Sequence, residues 1–264
     1  MFGRIAPASL EHLDTCPLGP HLDMIDAPQP TPTGVKLYNT PIVYNQGSSP
    51  MCPGYSAAAL MTATELPVWG AQMFDAPGIY SWANANDGLP QPHRGSTVHA
   101  AMQCLVDVGA ALAQGWAPAP GEPGRVQNKN VLWANDIDTV CRYLFSQSGM
   151  VLGIDWYEGC MKVDAQGFIR PTGSVIGGHA IFCRGVNMTE KFLVLRQSWG
   201  PLWGCTVNNA DGSTVMSPGA DAKVHFEDFA ALMGAQGEAA AIVPVIPSIT
   251  APASSTDPPK VTSA

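Results

Sequence analysis

The spacing of apolar residues changes character near the middle of the chain. Before Gly149, three segments carry apolar positions at helical spacing. After it come short runs rich in β-branched and aromatic residues, separated by glycine-containing turns. These runs read MVLGIDWYEGC, GGHAIFCRGV and KFLVLRQSW. Helices followed by strands predict an α+β protein with a helical half and a sheet half.

The first predicted helix covers residues 53–66. Pro53 suits the first turn of a helix, and Pro67 ends the segment. The apolar positions that define its buried face are Tyr55, Ala58, Ala59, Met61 and Leu66.

The second and third predicted helices lie in STVHAAMQCLVDVGAAL and NDIDTVCRYLFSQSG. Ser96 is the predicted N-cap of the second helix, and Gly109 its terminator. The third is expected to open with Asn135 and to end at Gly149.

Both ends of the chain differ from its middle. Residues 1–34 are proline-rich and weakly periodic, which predicts an arm and no core element. Residues 247–264, rich in Pro, Ser and Thr, predict a disordered tail. A domain is therefore expected over residues 35–246, which is long enough to build one large domain or two lobes.

Charge and hydropathy exclude several classes of protein. The net charge is −8 and the 13 basic residues are scattered, so we expect no nucleic-acid partner. No apolar run approaches the roughly 20 residues that span a bilayer, and the N-terminus lacks the apolar core of a signal peptide. These features predict a soluble protein with no membrane association. They leave the compartment open, with a cytoplasmic or virion-associated protein favoured.

The seven cysteines contain no C-x-x-C pair, and the acidic residues show no metal-ligand pattern. We therefore expect no metal and no cofactor. If one cysteine is reactive, six remain. The pattern leaves their pairing open, and we interpret them as small buried hydrophobic residues.

Cys52 is the candidate nucleophile. It lies in NQGSSPMCPGYSAAAL, where a Gly/Ser/Pro loop meets the first predicted helix. At a helix N-terminus the unpaired backbone N–H groups and the helix dipole lower a thiol pKa. Gln46, on the same loop, could donate to a developing oxyanion beside the Cys52 N–H. Alone, Cys52 could equally be a buried structural thiol.

His179 is the candidate base, because two glycines and then a strand surround it in IGGHAIF. Alone, it could be a core histidine. Downstream, RQSWGPLWG places Gln197 beside Trp199 and Trp203. The Gln197 amide could hold the imidazole in one tautomer, while a tryptophan keeps water off that hydrogen bond.

Three blocks, NQGSSPMC, GGHAIFCRGV and RQSWGPLWG, resemble in order the signature blocks of the papain family of cysteine peptidases. The family's blocks read N-Q-G-x-C-G-S-C-W-A-F, G-H-A-V and K-N-S-W-G-x-x-W-G. The separations are also similar, with six residues from Gln46 to Cys52 and 18 from His179 to Gln197. RGSTVHAAMQCLVDVGA resembles the family's second helical segment, and the whole resemblance covers roughly residues 35–243.

The resemblance implies a papain-like two-lobe fold with the active site in the cleft between the lobes. The helical lobe would span about residues 45–125, and the β-rich lobe about 126–246. The implied activity is hydrolysis of peptide bonds through a thioester, with a peptide or protein as substrate. By position, the resemblance makes the catalytic residues Cys52, His179, Gln197 and Gln46, and the substrate-binding residues Gly95, Trp199 and Trp203, with Trp199 as a shield.

The chain departs from the family at several positions. Gln197 replaces the family's Asn, Pro53 the Trp after the nucleophile, and Ser49 the usual disulfide-bonded cysteine. About fifty residues precede Cys52, fewer than the family's large propeptide needs. These departures favour an alternative: a catalytically weak structural or binding protein, such as a component of a viral particle or larger assembly. A transglutaminase-like or amidase-like thiol enzyme would use the same Cys/His pair.

Overall fold

The computed structural model describes residues 2–7, 9–25, 33–63, 73–114, 124–207 and 219–244. The predicted tail, and residues 64–66 of the first predicted helix, lie outside these ranges. The helices are α1 (Glu11–Thr15), α2 (Leu18–Ile25), α3 (Cys52–Thr62), α4 (Ala76–Asn86), α5 (Val98–Asp107), α6 (Ile137–Ser146) and α7 (Phe226–Met233). The strands are β1 (Val35–Leu37), β2 (Ala110–Ala111), β3 (Arg125–Val126), β4 (Asn128–Ala134), β5 (Met150–Tyr157), β6 (Val175–Asn187), β7 (Phe192–Arg196), β8 (Asp221–His225) and β9 (Glu238–Pro244).

An antiparallel sheet of seven strands organises the second half of the chain. Its order is β4-β9-β5-β6-β7-β8, and β1 pairs with β6 as well. The three apolar runs predicted as strands form β5, β6 and β7. Helices followed by sheet confirm the predicted α+β class. Across the described ranges, every helix is too short or too polar to traverse a bilayer.

The central strands are buried on both faces, so their sequences are almost continuously apolar. Side chains alternate between the faces: Val151 and Phe182 pack with α3, α4 and α5, whereas Leu152 and Ile181 pack with α2, α6 and α7. The sheet thus separates two hydrophobic clusters. The helix that begins at Cys52 packs directly against β6.

The helix starts differ slightly from their predicted positions. The N-cap of α5 is Thr97 and not Ser96, since the Thr97 hydroxyl accepts from the Ala100 N–H at 3.0 Å. The third predicted helix, α6, is capped by Asp136. Gly109 ends α5 as predicted, with φ of +74°.

The N-terminal region contributes to the core, contrary to expectation. The predicted arm contains the two helices α1 and α2. Leu18 and Leu22 of α2 are fully buried in the hydrophobic cluster that also includes α6. Proline-rich flanks obscured this pair of leucines at i and i+4. The described part of the 1–34 segment is therefore packed onto the sheet.

A buried ion cluster fixes the end of β7. Asp221 on β8 is fully buried and accepts from Arg196 Nε at 2.5 Å, and its other oxygen lies 3.2 Å from Arg184 Nη2. One buried carboxylate thus serves two guanidinium groups. Because Arg196 directly precedes Gln197, this cluster also fixes where the Gln197 side chain begins.

Candidate active site

The fold brings the predicted nucleophile to the strand that carries the predicted base. Cys52 is the first residue of α3, and its sulfur accepts a hydrogen bond from the Ala180 N–H at 3.5 Å. His179 is the residue before Ala180 on β6, and both Cys52 and His179 are fully buried. Two residues distant in sequence therefore lie in one site, at the junction of helix and sheet.

Gln197 binds His179 despite replacing the family's shorter amide. The His179 Nε2 and the Gln197 Oε1 are 2.7 Å apart. An amide oxygen accepts and cannot donate, so Nε2 carries the hydrogen. His179 Nδ1 has no hydrogen-bond partner among the residues that the structure describes. The imidazole is thus held in the tautomer whose basic nitrogen is left for a proton from a thiol.

Two tryptophans pack against the histidine of this pair, and a third packs against those two. The ring of Trp199 lies 5.2 Å from that of His179, and the ring of Trp203 lies 5.4 Å from that of Trp199. Trp156 on β5 lies closer still, at 4.8 Å from the imidazole. Trp156 is fully buried in the core and also contacts the site. Excluding water strengthens the hydrogen bond between the imidazole and the amide.

The loop before Cys52 is joined to the loop after β7. The Gln46 N–H donates to the Ser198 carbonyl at 2.8 Å, and the Ser198 hydroxyl donates to Gln46 Oε1 at 2.6 Å. The Gln46 side-chain nitrogen donates to the Ser49 carbonyl at 2.8 Å. Gln46 therefore lies in the same region as the thiol and the amide, and its role as an oxyanion donor remains a prediction.

Residues 2–5, here called the cleft segment, lie across the site. The ring of Phe2 packs edge-on at 6.2 Å from His179 and at the same distance from Trp199. The segment then pairs with Ser96: the Ser96 N–H donates to the Gly3 carbonyl at 2.7 Å, and the Ile5 N–H donates to the Ser96 carbonyl at 2.8 Å. Both the thiol and the imidazole are covered by this segment of the same chain.

Glycines make room for the cleft segment. A Cβ at Gly95, where φ is +96°, would lie 3.0 Å from the Gly3 carbonyl carbon and closer to its oxygen. A Cβ at Gly177 would lie 3.0 Å from the Phe2 Cβ. A Cβ at Gly178 would strike the Arg4 backbone. The glycine pair before His179 and the predicted substrate-binding Gly95 thus line the groove that the segment fills.

Arg4 extends from the cleft segment into an acidic pocket. Its guanidinium lies 3.8 Å from Glu238 and 3.9 Å from Asp155, and it donates to the Gln236 carbonyl. The side chains of Arg4 and Glu238 are both fully buried. Glu238 also bonds to His12 of α1 at 2.6 Å.

Burial keeps the Cys–His pair uncharged. Burial raises the pKa of the Cys52 thiol, an effect partly offset by the backbone N–H groups of Ala180, Gly3 and Arg4. Burial also lowers the pKa of His179 to about 4, although the hydrogen bond with Gln197 favours its charged form. In this closed arrangement the site holds a neutral thiol and a neutral imidazole.

The site also includes three residues that the sequence pattern did not indicate as parts of it: Ser96, Arg4 and Glu238. Ser96 was predicted as a helix cap, yet its backbone pairs with the cleft segment. Arg4 is an isolated cation in an apolar N-terminus, and Glu238 an isolated acid opening an apolar strand. Lone charges in apolar surroundings were the available signal, because such charges need a partner.

The fold is similar to several solved structures of cysteine proteases. Xylellain from Xylella fastidiosa is 16% identical, with a TM-score of 0.64 over 93% of this chain and 96% of that one. The proCathepsin B S9 of Trypanosoma congolense is 11% identical, with a TM-score of 0.62 over 92% and 87%. A digestive procathepsin L2 from Tenebrio molitor larval midgut is 15% identical, with a TM-score of 0.62 over 92% and 78%.

These similarities confirm the predicted fold. The chain has the papain-like two-lobe architecture, in which a helical lobe and a β-rich lobe enclose a cleft. No protein-family model matches the sequence, and no curated protein matches it. At identities of 10–16% the likeness concerns the fold alone.

Proposed function

We propose that this chain, which has the fold of papain-like cysteine proteases, is a cysteine peptidase. Cys52 would attack the substrate carbonyl as a thiolate and form a thioester. His179 would take the thiol proton at Nδ1 and then give it to the leaving amine. The Cys52 N–H and the Gln46 amide would stabilise the oxyanion. The observation that carries the proposal is the His179–Gln197 hydrogen bond beside a thiol that accepts from the Ala180 N–H.

The cleft segment would hold the enzyme inactive, because it occupies the groove that a substrate needs. It runs from Phe2 at Trp199 to Ile5 at Ser96. If the side near Trp203 receives the leaving group, a cleavable peptide runs the opposite way, with its N-terminal part along Ser96. The cleft segment is then bound backwards and is not cut.

Release of the segment would also restore the chemistry of the pair. Water reaching Cys52 and His179 removes the desolvation that keeps both groups neutral. The proton can then pass from sulfur to Nδ1, giving a thiolate beside an imidazolium, with Gln197 supporting the charge. Opening would thus give a substrate access to the groove and would convert Cys52 into a reactive thiolate.

Hydrolysis of a diverse mixture of quenched fluorescent peptides tests the proposal. We expect the full chain to cleave the mixture and Cys52→Ser to lose nearly all activity. Cys104→Ser, which alters another buried cysteine on α5, is the matched control and should keep the activity. Wild-type rates in Cys52→Ser would overturn the proposal.

A second candidate is a papain-fold binding or structural protein without catalysis. The complete burial of Cys52 and His179 favours it, since a permanently closed site needs no reactivity. Labelling with a thiol-reactive epoxide or vinyl sulfone separates the two. Rapid modification at Cys52, ahead of the other six cysteines, supports the peptidase, and slow labelling without preference supports the scaffold.

A further inference from the structure

We propose that the pocket now holding Arg4 is a substrate subsite selective for cationic side chains, so that the enzyme prefers peptides with arginine or lysine at this position. The inference rests on the proposed peptidase function, and it adds the substrate class. Arg4 would then be a mimic of the substrate side chain, carried by the chain itself.

The pocket is built for a cation. Glu238, at the start of β9, has a fully buried side chain, while that of Asp155 on β5 is one-third exposed. The Gln236 carbonyl adds a further acceptor. Glu238 Oε1 has no hydrogen-bond partner among the described residues and lies 3.8 Å from Arg4 Nη2. Two carboxylates and a carbonyl therefore converge on one guanidinium.

The walls of the pocket suit a long unbranched stem. A Cβ at Gly153 would lie 3.0 Å from Arg4 Nε, and a Cβ at Gly178 would lie 3.1 Å from Arg4 Cδ. Both glycines thus leave the width that the methylene groups of arginine or lysine occupy. A side chain on either wall would close the pocket to such a stem.

The pocket lies next to the reacting sulfur. The backbone N–H groups of Gly3 and Arg4 face the Cys52 sulfur, and their hydrogen bonds lower the pKa of the thiol. In the wall of the pocket, Gly178 is the residue directly before His179. A peptide bound at the thiol therefore has a side chain within reach of Glu238, as Arg4 itself demonstrates. The pocket can contribute to cleavage rates as well as to binding.

When Arg4 leaves the pocket, the binding of another cation there becomes favourable. When the cleft segment leaves, Glu238 keeps its bond to His12 but loses the guanidinium that faced its other oxygen. A buried carboxylate without sufficient compensation is costly, and a basic substrate side chain removes that cost. A neutral side chain of the same shape does not.

The test uses the full-length R4Q variant, in which the chain's own cationic side chain is removed from the pocket. Two quenched peptides would be compared, identical except for arginine or its neutral isostere citrulline. We expect kcat/KM to be about tenfold or more higher for the arginine peptide, as for a charge-assisted hydrogen bond. R4Q/E238Q should lose this preference, and R4Q/E227Q, altered at an exposed glutamate of α7, should keep it.

Equal rates for both peptides in R4Q would overturn the subsite while leaving the peptidase intact. R4Q/D155N provides a second route should E238Q unfold, and a smaller arginine preference is expected there. Binding of the same two peptides to C52A/R4Q, followed by fluorescence anisotropy, separates the two proposals. Tighter binding of the arginine peptide together with no cleavage by R4Q would support the pocket and overturn the proposed function.

Discussion

Gly3→Ala is the sharpest test of closure by the cleft segment. Gly3 crosses the loop before the nucleophile, and a Cβ there would lie 2.7 Å from the Cα of Pro50 and closer still to its carbonyl group. All of these atoms belong to the backbone, so no side chain can rotate away. The added methyl group must push the segment out of the cleft.

The size of the effect follows from the cost of overpacking. Forcing a methyl group into a filled site costs typically about 1–3 kcal/mol. If that cost falls on the closed state alone, the open fraction rises about 5-fold to 150-fold, at roughly 1.4 kcal/mol per factor of ten. The rest of the fold should be unaffected, because the two hydrophobic clusters do not include Gly3.

The rate of Cys52 modification by iodoacetamide, followed by mass spectrometry of its peptide, reports the open fraction. The other six cysteines are an internal reference for global unfolding. Gly124→Ala is the matched control, since a Cβ at Gly124 meets nothing within 4 Å. Equal labelling of Cys52 in wild type, Gly3→Ala and Gly124→Ala would refute closure by the cleft segment.

Two further predictions concern acid and the buried ion cluster. In Cys52→Ala, where no thiol proton can pass to the imidazole, acidification should release the cleft segment, because the pKa of His179 is about 4 when buried against an ordinary 6.5, so that below pH 6.5 the open state binds more protons. Arg4 keeps its proton across this range, and closure of this variant weakens by roughly 2 kcal/mol at pH 5; unchanged hydrogen exchange at its Ile5 N–H between pH 7 and 5, after correction for intrinsic rates, would contradict this. Asp221→Asn should lower the free energy of unfolding by about 3–5 kcal/mol because it removes the buried carboxylate that faces both guanidinium groups; a loss below about 1 kcal/mol in urea denaturation would show that the cluster is not needed.

The sequence predicted those parts of the molecule that depend on local pattern. The apolar runs that became β5, β6 and β7 were found because buried strands cannot carry charge at most positions. The Cys52 and His179 motifs drew attention because a nucleophile and its base need particular neighbours, and the fold brings both residues to one site. Helix ends were less certain, since Ser96 and Thr97 can both cap and the backbone geometry decides between them.

What the sequence left unpredicted depends on contacts distant along the chain. Helix α4 was not predicted, because it has few buried residues and they lie among polar ones. These buried residues are Ala76, Ile79 and Ala83. The pairing of Arg4 with Glu238 joins opposite ends of the described chain, and many other charges could have been partners. Such pairs become visible once the strand order is known.

Because the cleft segment is covalently attached to the domain whose groove it fills, its local concentration is set by the tether and does not fall when the protein is diluted. A single cut between Ile5 and the helices that follow would turn this internal equilibrium into an ordinary encounter between two molecules. The cleft segment would then be lost to bulk solution. Proteolytic nicking would thus act as a one-way trigger, whereas opening of the uncut chain would stay reversible.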